Sequence, residues 1–293
     1  AVISNQGGYY TTFAYVSEAR RLGLQLLPPD VTRSRWRWRG RHRALRVGLQ
    51  AVKGLSAATA ERLIAARRHQ SFRDGMDFLH RVRPDDGEAR ALIRCGALDA
   101  LAPQGGGRTG LLWTLAAWQK HGRRGGPSAT LFEARVADDP LPRLPAEEPL
   151  ERLRCEFAVL GFLCGRHPIT LYDGVRRARK TVKAHDLGRR TGRRVRFAGW
   201  LVTGKVIHTK QGDPMEFLTF EDETGLIETT FFPPVYRRFC HLLDGGRPYL
   251  LAGRVETDWG AVTLTVDRVE PLAALPVFDG EEASGVAPGG GKA

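Results

Sequence analysis

Apolar residues recur at helical intervals in the first part of this chain and at alternate positions past residue 193. Phe13, Val16, Ala19 and Leu22 form a stripe that predicts a helix over residues 12–22, ended by Gly23. Two prolines in Leu26-Leu27-Pro28-Pro29-Asp30-Val31 force an extended turn. Trp36-Arg37-Trp38-Arg39 alternates as a strand does, and Leu45-Arg46-Val47-Gly48-Leu49 as its partner. Helices are predicted over 57–68, with Ser56 as N-cap, over 72–82, and over 88–95, closed by Gly96. Gln104-Gly105-Gly106-Gly107 reads as a linker before a short apolar helix over 111–120. Residues 121–149, rich in Gly, Pro and charge, are expected to run extended over the surface. Helical periodicity returns over 150–160, and a short helix is expected over 173–180.

The second part changes period. Residues 195–203 alternate, the polar turn Lys210-Gln211-Gly212-Asp213 leads to 215–221, and Asp222-Glu223-Thr224-Gly225 leads to 226–231. Pro233 opens a helix through residue 243, at the helical position proline favours. Strands follow over 249–257 and 262–269, joined at Asp258-Trp259-Gly260. Five strands with a helix between the third and fourth have the layout of an OB barrel. A split sandwich is the alternative, and it would not need that helix. The fold class is therefore multi-domain α+β, a helical region followed by a five-stranded barrel. After Leu272 the composition of the tail predicts disorder.

Composition narrows the function. The 293 residues suit two or three modules, and their formal charge is +13. Such a balance points to a polyanion, either nucleic acid or an acidic membrane face. Arg heavily outnumbers Lys and suits phosphate, although codon bias toward Arg is also part of the answer. The cysteines Cys95, Cys155, Cys164 and Cys240 form no Cys-x-x-Cys pair, so a zinc ribbon is a poor fit and a reduced, cytoplasmic protein is expected. No apolar run reaches membrane-spanning length and no signal peptide opens the chain. It opens without Met, as though beginning inside a larger protein.

Val52-Lys53-Gly54-Leu55-Ser56 before the 57–68 helix reads as a helix-hairpin-helix unit. Such a hairpin aims backbone N–H groups and a helix N-terminus at one phosphate, with Lys53 adding charge. The usual pattern has Gly at both ends of the triplet; here Ser56 takes the second place, and an ordinary helical turn is the other reading. Leu92-Ile93-Arg94-Cys95-Gly96-Ala97-Leu98-Asp99 is either a second hairpin or, by the residues alone, a helix C-cap at Gly96. The barrel offers Trp200, Phe217, Phe220, Phe231, Phe232, Tyr249 and Trp259 for stacking on bases, beside Lys205, Lys210, Arg196 and Arg254. A small barrel must be filled, so most of these aromatics are assigned to the core, and Lys205, Lys210 and Trp259, at strand ends or loops, are the stronger candidates. Asp85-Asp86, Asp138-Asp139 and Asp222 lie in loops or turns and do not read as a fixed metal site.

Ile3-Ser4-Asn5-Gln6-Gly7-Gly8-Tyr9-Tyr10, Tyr15-Val16-Ser17-Glu18-Ala19-Arg20-Arg21-Leu22-Gly23 and Leu27-Pro28-Pro29-Asp30-Val31 together resemble the end of the fingers domain of the bacterial DNA polymerase III alpha subunit. Residues 47–55 and 92–99 are similar to its tandem helix-hairpin-helix region. Residues 156–162 with His167-Pro168 are similar to its pre-barrel segment, and 217–225 with Phe232-Pro233 to its OB domain. The resemblance implies six parts: 1–50 end of fingers, 51–102 tandem hairpins, 103–149 linker, 150–192 helical pre-barrel segment, 193–272 OB domain and 273–293 tail. It implies DNA, duplex and single-stranded, as partner, with Arg20 and Arg21 candidates for phosphate. It also implies a sliding clamp bound through Leu131 and Phe132, where Ser128 stands in place of the family's Gln, and contact with other polymerase subunits or with an N-terminal half. The family's metal-binding palm precedes the fingers, so Mg²⁺ is expected there and no cofactor in this chain, which by itself should not polymerise DNA. The Gly-rich ending points to an accessory or error-prone branch. The alternative is a stand-alone, non-catalytic nucleic-acid-binding protein.

Overall fold

The computed structural model describes residues 2–5, 11–122, 147–258 and 260–273. The expectations on residues 6–10, on the extended segment over 123–146 with Asp138-Asp139 and the clamp-binding Leu131 and Phe132, on Trp259 and on the tail lie outside the described residues.

A helical turn, α1 (Val2–Asn5), precedes α2 (Thr12–Arg21), which Thr11 caps by accepting from the Ala14 amide. Val16 and Ala19 are buried as predicted, but Leu22 lies past the last turn and is 64% exposed. A small sheet follows. β1 (Gln25–Leu27) pairs parallel with β3 (Ala44–Arg46), which pairs antiparallel with β2 (Arg39–Arg41). Two expectations are corrected here. The Leu26-Leu27 stretch forms a strand before the prolines take over. Trp36–Trp38, predicted as strand, instead bends beneath Gly48, where a Cβ would sit 2.5 Å from the Trp36 carbonyl oxygen. That close approach turns Trp36 and Trp38 toward the core, and Trp38 meets Phe162 at 5.5 Å between ring centres.

Helices α3 (Ala57–His69), α4 (Gly75–Val82), α5 (Asp86–Arg94), α6 (Gly107–Gly122) and α7 (Pro149–Leu160) complete this region. Caps set their starts. Ser56 accepts from the Thr59 amide at 3.1 Å. Asp74 accepts from the Asp77 amide, so α4 begins three residues later than the apolar run suggested. Asp85 and Glu88 form a reciprocal capping box at α5. Leu49, Leu63, Phe78, Leu92, Ile93, Leu98, Leu111 and Phe162 are almost wholly buried between these elements. Removing such a side chain from water contributes about 1.5–3 kcal/mol each.

After α8 (Asp173–Ala178) come β4 (Arg194–His208), β5 (Pro214–Glu221), β6 (Leu226–Phe231), α9 (Pro233–Phe239), β7 (Pro248–Asp258) and β8 (Ala261–Pro271). The strands close in the order β4-β5-β6-β8-β7, with β6 and β8 parallel and every other pair antiparallel. Closure rules out the split sandwich and gives the five-stranded OB barrel the alternation predicted. A register shift between Leu201 and Thr203 bends β4, so one long strand serves two neighbours. Phe197, Phe220, Phe231, Tyr249, Leu251 and Leu264 fill the interior. Trp200 is 3% exposed but belongs to the outer wall, where it meets Phe13 and Phe157 of the helical region at 5.6 and 5.3 Å. Ile169, Tyr172, Ala198 and Leu250 join it there.

Candidate nucleic-acid interface

The first hairpin is built as its sequence suggests, with one change. Gly54 is left-handed at φ +82°, with nothing within 4 Å of a Cβ placed there. Leu55 is buried and anchors the loop. Ser56 is extended (φ −73°, ψ 150°), so the second glycine of the usual pattern is not needed: Ser56 serves as the α3 cap instead. Its amide donates to Glu88 Oε1 at 3.0 Å and its hydroxyl to the same oxygen at 2.6 Å. Glu88 Oε2 accepts from Thr59 Oγ1 at 2.7 Å and from the Asp85 amide at 3.0 Å. Burial works against the Glu88 charge, but these hydrogen bonds prevail and hold its carboxyl below the usual range. Lys53 donates from its backbone to Val159 O and from Nζ to Ala158 O, both at 3.3 Å, leaning on the carbonyl end of α7. The Lys53 ammonium and the Ser56 amide thus have partners within the protein. The amides of Gly54, Ala57 and Ala58 have none among the described residues, and all three residues are exposed.

The 92–99 segment follows the C-cap reading. Gly96 is left-handed, its amide reaches Ile93 O at 3.0 Å, and the Ala97 amide reaches Leu92 O at 2.9 Å. Arg108 closes this glycine to solvent: a Cβ on Gly96 would lie 2.2 Å from Arg108 Nη2. Arg108 is fixed by Asp99 through two bonds, of 2.9 and 3.0 Å, and by Arg94 O. The neighbouring Cys95 thiol is buried and its pKa is pushed up to about 12, a packing residue rather than a nucleophile.

Arg20 and Arg21 sit where the helical region meets the barrel. Arg21 donates to Glu18 at 2.9 Å and to Glu221 Oε2 at 3.0 Å. Glu221 is fully buried, and its other oxygen faces His167 Nε2 at 3.2 Å. His167 Nδ1 accepts from the Ile169 amide, which places the ring proton on Nε2 as donor to Glu221. Burial opposes ionisation of Glu221, but the hydrogen bonds from His167 and Arg21 outweigh it and lower its pKa. Burial lowers the pKa of Arg20, whose Nε and Nη2 have no hydrogen-bond partner; Cys164, Glu156 and Glu221 lie nearby. Both arginines therefore face the junction.

On the barrel, Lys205 lies directly opposite Phe217, Phe217 opposite Thr230, Thr230 opposite Thr265, and Thr265 opposite Arg254. Opposed residues share a face, so one row joins two of the expected basic candidates through an aromatic ring. Phe217 is 42% exposed. With Lys205, Thr203, Thr219 and Glu228 it lines a cleft of about 360 Å³. Lys210 is exposed in the turn between β4 and β5. Phe220, Phe231 and Tyr249 are interior, as assigned, whereas Phe217 and Phe232 (46% exposed) are not. The parity of β5 carried the missed signal: Phe217 alternates in phase with polar Thr219 and Glu221, not with Leu218 and Phe220. Arg196 is exposed and donates to Arg179 O.

Among the described residues, no group of three His, Cys, Asp or Glu side chains could hold a metal ion. Asp85 caps α5, and Asp222 accepts from Thr224, Gly225 and Ala184 in the turn after β5.

Comparison with known proteins agrees with these shapes. Residues 23–107 match the helix-hairpin-helix motif family, and residues 195–272 match the OB-fold nucleic acid binding domain family. An error-prone DNA polymerase of Anaeromyxobacter sp. (strain K) is 31% identical over 92% of this chain and 24% of its own length. One from Alkalilimnicola ehrlichii is 32% identical over 92% of this chain and 26% of its own length. Among solved structures, a domain of replication protein A from Methanococcus maripaludis covers 33% of the chain at 16% identity and a TM-score of 0.28, too slight to bear on function. The chain is thus similar to error-prone DNA polymerases, spans about a quarter of their length, and carries a helix-hairpin-helix region followed by an OB-fold barrel.

Proposed function

We propose that this chain is the DNA-holding portion of an error-prone polymerase of the polymerase III alpha type. The first hairpin grips the duplex backbone through the Gly54, Ala57 and Ala58 amides. The Lys205–Phe217–Arg254 row holds an unpaired strand, with a base stacked on Phe217. The observation that carries the reading is that 92% of the chain aligns with proteins named error-prone DNA polymerase, over two modules of nucleic-acid-binding type. The geometry adds donors without internal partners on the first module and an open aromatic on the second. DNA synthesis is assigned to the rest of such a polymerase, of whose length this chain spans about a quarter. Leu131 and Phe132 supply the clamp contact, weakened by Ser128, and clamp binding that survives their replacement by alanine refutes that part.

The test is binding of the chain to fluorescent single-stranded, duplex and primer–template DNA across a salt series, alongside primer extension. Affinity that falls steeply with salt and favours primer–template supports the reading. Primer extension by the chain alone, or no binding at low salt, overturns it. Tight binding without preference for a junction supports the stand-alone binding protein instead.

A further inference from the structure

A run of exposed arginines lies outside the sites expected on either module. Arg35, Arg37, Arg39 and Arg41 occupy alternate positions leading into and through β2, and all are exposed. Trp36 and Trp38, between them, pack against the core. The neighbouring Arg33 and Arg46 approach Asp30 at 3.8 and 3.9 Å, but the four alternate arginines have no carboxylate partner among the described residues. Arg39 also stands directly opposite Arg46 in the β2–β3 pair. Like charges so placed work against the β2–β3 pairing, so Arg39 does not stabilise the sheet there. Arg39 and Arg41 lie in β2, and Arg35 and Arg37 in the bent segment that leads into it.

This strip adjoins the hairpin. The Leu49 amide donates to Arg35 O at 2.9 Å and the Gln50 amide to Trp36 O at 3.0 Å, and residues 49–51 lead directly into Gly54. We propose that Arg35, Arg37, Arg39 and Arg41 form a second, sequence-independent binding strip for the phosphate backbone of duplex DNA, extending the contact made at the hairpin. The inference rests on the duplex-holding reading above. Guanidinium groups without protein acceptors keep their donors for phosphate, and within β2 alternate spacing puts Arg39 and Arg41 on one face of the sheet.

The salt dependence of duplex binding tests it. Each phosphate contact contributes about 0.9 to the slope of log affinity against log salt. Replacing all four arginines by alanine should lower the magnitude of that slope by about 2–4 and leave the melting temperature of the chain unchanged or higher. The four Arg→Lys replacements should keep most of the slope, since lysine still binds phosphate as a point charge. A charge-matched control, Arg177, Arg190, Arg193 and Arg238 to alanine, removes four exposed charges elsewhere and should change the slope by less than about 1. If the wild-type chain binds duplex and the first variant keeps its slope, or the control loses as much, the strip is refuted while the hairpin reading stands. If the wild-type chain binds no duplex at low salt, both fall.

Discussion

Replacing Glu88 by alanine tests whether this carboxylate is the foot of the first hairpin. Glu88 is 4% exposed and accepts four hydrogen bonds, two from Ser56, one from Thr59 and one from the Asp85 amide. A bond to a charged acceptor contributes about 1.5–3 kcal/mol. The four are not additive, because Ser56 and Asp85 lie near solvent and water replaces part of the loss. The working value is that of breaking a buried ionic network from one side, about 3–5 kcal/mol, including the lost capping box. Glutamine is the sharper probe. Its carbonyl can still accept from Ser56, while its NH₂ meets the Thr59 hydroxyl and the Asp85 amide, so the expected loss is about 2 kcal/mol. Native-state hydrogen exchange at Thr59 and along α3 and α5 reads the loss locally, without requiring the barrel to unfold with the helices. The sign of the pH dependence follows from the lowered carboxyl. Its stabilisation is present above the unfolded pKa, near 4.3, and fades as pH falls through the lower folded value. Alanine costing under about 1 kcal/mol, or a loss that does not shrink at low pH, would refute the assignment of Glu88 as the hairpin's support.

Phe217→Ala should weaken single-stranded DNA by about 1–3 kcal/mol, the worth of one stacked base, and leave duplex affinity unchanged; fluorescence anisotropy with the two DNAs decides. Glu221→Gln at the junction should lower stability most above pH 5 and least near pH 3, because the native carboxylate is held ionised by His167 and Arg21; urea melts at the two pH values check this. Gly253→Ala would put a Cβ 2.1 Å from the Thr265 carbonyl oxygen at the β7–β8 register shift, and should cost the barrel about 1–3 kcal/mol or more in thermal melts.

The barrel was legible because its strands alternate in sequence and its turns carry Gly and Asp. Residues 226–231 fall where they were expected, and the helix begins at Pro233 as placed. The caps at Ser56 and Gly96 were legible for the same local reason. The small sheet was not. Its strands are three residues each, and each residue of β1 finds its partner nineteen residues further on, so no local period announces it. Trp36-Arg37-Trp38-Arg39 does alternate, with tryptophans inward and arginines outward, but it lies against Gly48 rather than in a ladder. The site was half legible. Lys205 and Arg254 were named from charge, yet their link through Phe217 needed the register. Glu88 was readable as the last residue of Asp85-x-x-Glu88, a capping-box spacing. Nothing local to Glu221 tells that His167 and Arg21 converge on it, because those contacts span 54 and 200 residues.

Net charge cannot separate codon bias from function, but the partners of each arginine can. Arg21, Arg67, Arg81 and Arg108 give their donors to carboxylates or backbone carbonyls inside the protein. Arg67 alone bridges Val31 O and Ser34 O, beneath the turn that leads to β2. Such residues are structural, whatever codon supplied them, and their replacement would strand buried acceptors. The arginines from Arg35 to Arg41 are different in kind: exposed, evenly spaced, without acceptors, and in one case facing a like charge across a ladder. Codon bias explains why a basic position is Arg and not Lys. It does not explain why four successive outward positions are basic beside a hairpin whose open amides also select anions. The same reasoning sets Lys205 and Arg254 apart from Arg194, which is held by Asp267 on the neighbouring wall. The surplus of positive charge is thus not uniform over the surface, and where it lacks internal partners is where a polyanion has donors to meet.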